Sequence, residues 1–205
     1  MESESASASK TVRPRIERAS LLTLEDYART RAQFRARVIA HKKYRRVQLG
    51  DHLVLLFEDE LTIRYQVQEM LHAERIFEEE GIQSELDTYN PLVPDGRNLK
   101  ATMLVEYPDA EERRERLTEL IGIEGKVWIQ VQAHDRVWAI ADEDLERENE
   151  QKTSAVHFLR FELTENMAKA LKGGAGLAIG VDHANYRTRL EAPPAVRDAL
   201  AKDLA

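Results

Sequence analysis

In the segment 101-ATMLVEYPDAEERRERLTELIGIEGKVWIQVQAHDRVWAIA-141 the spacing of apolar residues changes period twice. Ala101 to Tyr107 is an apolar run of strand length. Glu111 to Ile121 has helical spacing, with Leu117, Leu120 and Ile121 on the inward side. Val127 to Gln132 and Val137 to Ala141 are rich in Val, Ile and Trp, and the few residues between them predict an antiparallel hairpin. A strand, one short helix and a hairpin do not make a βαβ unit. The expected class is α+β with a mainly antiparallel sheet.

Working back toward the N-terminus, Gly50-Asp51 separates Arg46–Leu49 from His52–Phe57 in the order of a two-residue hairpin loop. Two long helices flank this hairpin. Thr23, with Asp26 three residues on, caps the first, which is expected to reach Tyr44. Asp59 caps the second, expected over 60–80 with Gly81 as its stop. The segment 87-DTYNPLVPDGRNLK-100 has two Pro, two Asn and a Pro-Asp-Gly turn, and predicts a long loop of the kind that carries function. Working forward, Ser154 to Leu163 reads as a strand and Thr164 caps a short helix that stops at Gly173-Gly174. Leu177 to Val181 reads as the last strand. The expected organisation is a tail over 1–18, a single domain over 19–190 composed of two long N-terminal helices packed on the sheet, and a peripheral helix or tail over 191–205.

The chain has 205 residues, 42% hydrophobic and 33% charged, enough to bury a substantial core. It has no cysteine. That excludes disulfides, a thiol nucleophile and an iron–sulfur cluster held by Cys, and leaves Fe, Mn or Zn on His and carboxylates as the metal class to consider. The N-terminus lacks the apolar core of a secretory signal, and Leu53 to Phe57 is too short to span a bilayer, so a cytoplasmic protein is expected. The formal net charge of −7 argues against general nucleic-acid binding, despite the basic run Arg29, Arg31, Arg35, Arg37, Lys42, Lys43, Arg45 and Arg46. No phosphate loop, nucleophile elbow or His-Glu-x-x-His motif is present.

Charges placed inside apolar helix faces are the more informative feature. Ile63, Val67, Met70, Leu71 and Phe77 share an arc with Glu74. Leu24, Tyr27, Phe34, Val38 and Ile39 share one with Arg31 and Arg35. Since unpaired buried charge is costly, antiparallel packing with Glu74 against Arg35 or Arg31 is expected. The alternative is a pocket for an anionic group lined by Arg31, Arg35, Arg64 and Lys100. Glu69 and His72 form a Glu-x-x-His pair whose spacing puts both side chains on one side of a helix, as in di-iron bundles. One copy alone is also what an ordinary surface pair looks like. His41, His157 and His183 are the further ligands that the fold would need to bring in.

The strings IAHKKYRRVQLGDHLVLLFED, RYQVQEMLHAERIF and YNPLVPDG, with SAVHFLRFEL and IGVDHANY, resemble an uncharacterised bacterial family, domain of unknown function 3501, over roughly residues 18 to 188. The resemblance brings no activity and no catalytic residue. It implies genes near those for a rubrerythrin-like non-haem iron protein and an iron–sulfur oxidoreductase, hence a link to peroxide defence or redox metabolism. Three functions follow as expectations. The first is a non-enzymatic accessory or adaptor docking through the basic first helix or the Asn90–Asn98 loop. The second is a metal-binding protein or metal-dependent enzyme. The third is a small-anion or nucleotide binder.

Overall fold

The computed structural model describes residues 15–141 and 153–205. The first helix, α1 (Leu24–Lys42), opens where Thr23 accepts a hydrogen bond from Asp26 N at 3.1 Å. The hairpin β1 (Arg46–Leu49) and β2 (Leu53–Glu58) follows, then α2 (Glu60–Glu74) and α3 (Glu79–Tyr89). Next come β3 (Asn98–Val105), α4 (Ala110–Glu119), β4 (Val127–Val131), β5 (Arg136–Trp138) and β6 (Ile140–Ala141). The chain finishes with β7 (Val156–Glu162), α5 (Glu165–Lys172), β8 (Leu177–His183), β9 (Tyr186–Glu191) and α6 (Pro194–Ala201).

All strand pairings are antiparallel and make two sheets, β1-β2-β3-β7-β6 and β5-β4-β8-β9. Alternate residues of both sheets meet in one hydrophobic cluster. It includes Leu53, Leu55, Phe57, Leu99, Met103 and Phe161 from the first sheet, and Val127, Ile129, Ile179 and Val181 from the second. The sheets are joined at both margins. On one side the chain passes from β5, paired with β4, directly into β6, paired with β7. On the other, Tyr186 Oη donates to Leu49 O at 2.6 Å and accepts from His52 N at 3.1 Å. Gly50 has φ +66° there, and a Cβ on it would come 2.6 Å from the Tyr186 oxygen.

The α+β class and the antiparallel sheet agree with expectation; the two long N-terminal helices need correction. α1 is long, but the segment expected as one helix over 60–80 is divided. Arg75 takes the left-handed conformation (φ 55°) and its N–H returns to Leu71 O, which ends α2 at Glu74. Gly81 is not a stop. It lies in the first turn of α3, where a Cβ would meet Ile76 Cγ2 at 2.6 Å. Helices α2 and α3 enclose a second cluster of Ile63, Val67, Leu71, Ile82 and Leu86, completed by Ile16 and Leu21 from the N-terminal segment and Val93.

The expected loop over 87–100 is shorter than its composition suggests. Helix α3 continues to Tyr89, a 3-10 turn follows over Asn90–Leu92, and β3 starts at Asn98. The remainder is pinned: Asn90 bonds both Ile16 N and Ile16 O, and Gly96 O accepts from Ala205 N at 2.8 Å. Both expected chain ends reach into the cores. Ile16 is buried, and α6 places Val196 and Leu200, with Leu204 beyond it, in the main cluster. Residues 1–14 of the expected tail lie outside the described residues. Strand β9 is an addition to the expected elements. Its alternation of Arg187, Arg189 and Glu191 outward reads as a polar segment, yet charged outward residues are what protect an edge strand. Among the described residues no helix is long and apolar enough to cross a membrane.

Candidate functional site

The candidate residues gather mainly along the seam between α1 and α2. The capping box of Asp59 and Thr62 starts α2 close to the C-terminal end of α1, so the two helices run antiparallel. Near the open end of the seam, Glu69 accepts two hydrogen bonds from Arg31, at 2.8 and 2.7 Å, and one from Tyr27 Oη at 2.5 Å. The rings of Tyr27 and His72 meet edge-on at 5.8 Å, Tyr27 and Phe34 at 6.0 Å, and Phe34 and Tyr65 at 5.7 Å. The Arg31 guanidinium holds Glu69 down to a pKa of about 2, against the opposing effect of burial. Burial pushes the Tyr27 hydroxyl up, and its bond to Glu69 adds to that. Tyr27 is therefore a neutral donor and Glu69 an ionised acceptor of three hydrogen bonds.

The expected ion pair exists with a different acid. Arg31 is paired as expected, but with Glu69 and not Glu74. Glu74 is exposed in the last turn of α2, because the helix ends there instead of carrying its apolar arc on to Phe77, which is 69% exposed. Arg35 is exposed as well. The expected anion pocket is not assembled either. Arg64 bonds Glu60 and Ser20 O, and Lys100 Nζ donates to Pro91 O.

The five metal candidates fall in four places. Glu69 and His72 share the open end of the seam. His41 is at the other end, with Nε2 2.5 Å from Asp59 Oδ2. His157, fully buried on β7, has Nε2 2.9 Å from both Thr153 Oγ1 and Ser154 O. His183, at the exit of β8, has Nε2 3.1 Å from Ile121 O and accepts from Asn185 N at Nδ1. Asp182 and His183 are the last two residues of β8, paired with Arg187 and Tyr186 of β9. Among the described residues no three His, Asp or Glu side chains are grouped so as to hold a metal ion.

Two arrangements escape a reading of the sequence. Arg45, one member of a basic run there, is 2% exposed and bonds Phe57 O, Glu58 O and Asp203. One Arg among several in a basic run carries no signal of an acid 158 residues away. Trp128 is buried although it points to the outer side of its sheet. It packs against the bare Cα of Gly180, and Arg136 stands over its ring at 4.0 Å. A Trp opposite a Gly in neighbouring strands is a usable signal, but only once the register is known.

No curated protein matches the chain. A solved structure, the crystal structure of a novel protein of unknown function from Burkholderia pseudomallei, is similar throughout. It has 58% sequence identity and a TM-score of 0.89, over 93% of this chain and 99% of that one. Residues 15–204 match the family model described as protein of unknown function (DUF3501), and the chain belongs to that family.

Proposed function

We propose that this protein is a non-enzymatic accessory or adaptor of a cytoplasmic redox or peroxide-defence system, with α1 as its docking element. The observation that supports this reading is how little of α1 the fold uses. Of nineteen residues only Tyr27 and Val38 are buried. Arg35, Arg37, Lys42 and Lys43 form no ion pair among the described residues. Unpaired cations spread around the exposed sides of a rigid helix suit an acidic protein surface, and such contacts mainly raise the rate of encounter and select the partner. By contrast, Glu69, His41, His157 and His183 already have partners that fix their orientation, which leaves little for catalysis to draw on.

The test is titration calorimetry with a purified rubrerythrin-like iron protein, and separately with the iron–sulfur oxidoreductase. Binding should weaken as salt rises through the range where exposed charges are screened. It should be lost in the double variant Arg35→Glu/Arg37→Glu, whose circular dichroism should remain unchanged. Absence of binding to both proteins at low salt overturns the reading.

A further inference from the structure

We infer that the outward face of α1 is a self-association surface on which a second copy of this chain lies antiparallel, related by a two-fold axis level with residue 34. This rests on the reading of α1 as the docking element and names one occupant of it. Taking 3.6 residues per turn, Tyr27, Phe34 and Val38 define the side of α1 that meets the rest of the protein. On the opposite side lie Ala28, Ala32, Ala36, Ile39 and Ala40, all exposed, with Ile39 at 53%. Level with residue 34 the outward side chains, Ala32 and Ala36, are small, so another helix can come there to the short end of the usual range, about 8 Å between axes, while Arg29 stands on the same side nearer the N-terminus.

The charges on this face identify the occupant and its direction. Glu25, in the first turn, and Lys43, just past the last, stand at the same azimuth on the outward face, five helical turns apart. The helix is thus acidic at its start and basic at its end along one line. A parallel copy would set Glu25 against Glu25 and Lys43 against Lys43. An antiparallel copy sets each Glu25 against the other copy's Lys43. The spacing of the small residues suits the same operation. Ala32 and Ala36 straddle the axis, Ala28 comes within one residue of the level of Ile39 of the other copy on the same flank, and Arg29 likewise within one residue of Ala40, so its stem can cover that methyl. An isologous contact requires such self-complementarity. Glu25 is held within its own helix by Arg29, and Lys43 makes no ion pair among the described residues, so Glu25 can be shared without breaking a buried bond. Arg35 and Arg37 remain on the flanks of the contact.

The test uses the full-length protein, in which the absence of cysteine makes any introduced thiol unique. Sedimentation equilibrium should give twice the 23.5 kDa chain mass at high concentration. Ala36→Glu should shift the dissociation constant upward by at least about tenfold, since it buries an unpaired charge at the axis. Glu25→Lys should weaken association and Glu25→Lys/Lys43→Glu should restore it. For direction, Ala28→Cys and Ile39→Cys are oxidised alone and as a mixture. Disulfide-linked dimer in the mixture only supports the antiparallel contact. Linked dimer in each variant alone, or in none, overturns it, as does a monomer at every concentration. A monomer that still binds the iron protein would remove this inference and leave the adaptor reading standing; a dimer that binds neither iron protein would do the reverse.

Discussion

At Gly180 the fold leaves no room for a side chain. A Cβ there would lie 2.3 Å from Trp128 Cζ2 and 2.7 Å from Thr188 O. One of these is a large ring that is itself 1% exposed, and the other is backbone of the neighbouring strand. Neither can yield without moving β4 or β9 away from β8. Arg136 limits the ring further, since its guanidinium stands over the indole and is fixed by Asp182 at 2.5 Å. Gly180→Ala should therefore destabilise the protein by about 1–3 kcal/mol through overpacking. Gly125, where an added Cβ would meet nothing within 4 Å, is the control, and Gly125→Ala should stay within about 0.5 kcal/mol. Urea denaturation of both variants measures the difference, and equal midpoints would mean that Trp128 swings aside freely.

Among the elements, the α1–α2 seam depends on one acid. Glu69 ties Arg31 and Tyr27 of α1 to α2, and its pKa falls from the ordinary 4.5 to about 2 in the folded protein. Between those values the unfolded chain takes up a proton that the folded chain refuses. The stabilisation is present above about pH 4.5 and is lost as pH falls toward 2. Thermal melts across that range should show a steeper loss for the natural protein than for Glu69→Gln, and parallel curves would mean that Arg31 is not engaged in solution. The antiparallel seam and the pairing of Arg31 are legible in the sequence, because helical periodicity places Arg31 beside Tyr27 and Val38 with no structure needed. Glu74 is the wrong acid because its arc is continuous only if the helix runs through Arg75, where the backbone turns left-handed. No residue type announces that turn: Arg is not a usual helix stop, and the Gly81 that looks like one serves the packing of Ile76. Strand β9 is hidden for a related reason. Arg187, Arg189 and Glu191 alternate with Tyr186, Thr188 and Leu190, and so short an alternation with only two apolar members is a weak strand signal until β8 is there to pair with it.

Across the whole molecule, the buried guanidinium of Arg45 joins the N-terminal half to the C-terminus. It bonds Phe57 O and Glu58 O at 2.9 Å and Ala199 O at 3.3 Å, pairs with Asp203, and lies 3.4 Å from Asp59. Ala205 N on Gly96 O closes the same junction. One cation thus faces two carboxylates, and they divide unequally. Asp59 is buried, but Arg45, the Thr62 N–H and His41 together hold its pKa below the ordinary value. At Asp203 burial prevails over Arg45, with Asp59 adding repulsion, and the pKa rises from 3.8 to about 6. The sign is opposite to that of Glu69. Between about pH 4 and 6 the folded chain keeps a proton on Asp203 that the unfolded chain releases, so stability is greatest below that range and falls as pH rises through it. The amount is on the order of 2–3 kcal/mol. Asp203→Asn keeps an acceptor for Arg45 and carries no charge at any pH, so it should lack this slope. Measured by urea denaturation from about pH 4 to 7, the natural protein should lose stability relative to Asp203→Asn, and most of the divergence should fall below about pH 6.5. Parallel curves would show that Arg45 holds Asp203 ionised throughout. In that case Arg45→Lys, which cannot reproduce the planar fork of donors, should still release the C-terminal segment and expose its backbone amides to hydrogen exchange, because the carbonyls of Phe57, Glu58 and Ala199 would lose the donors that bring them together.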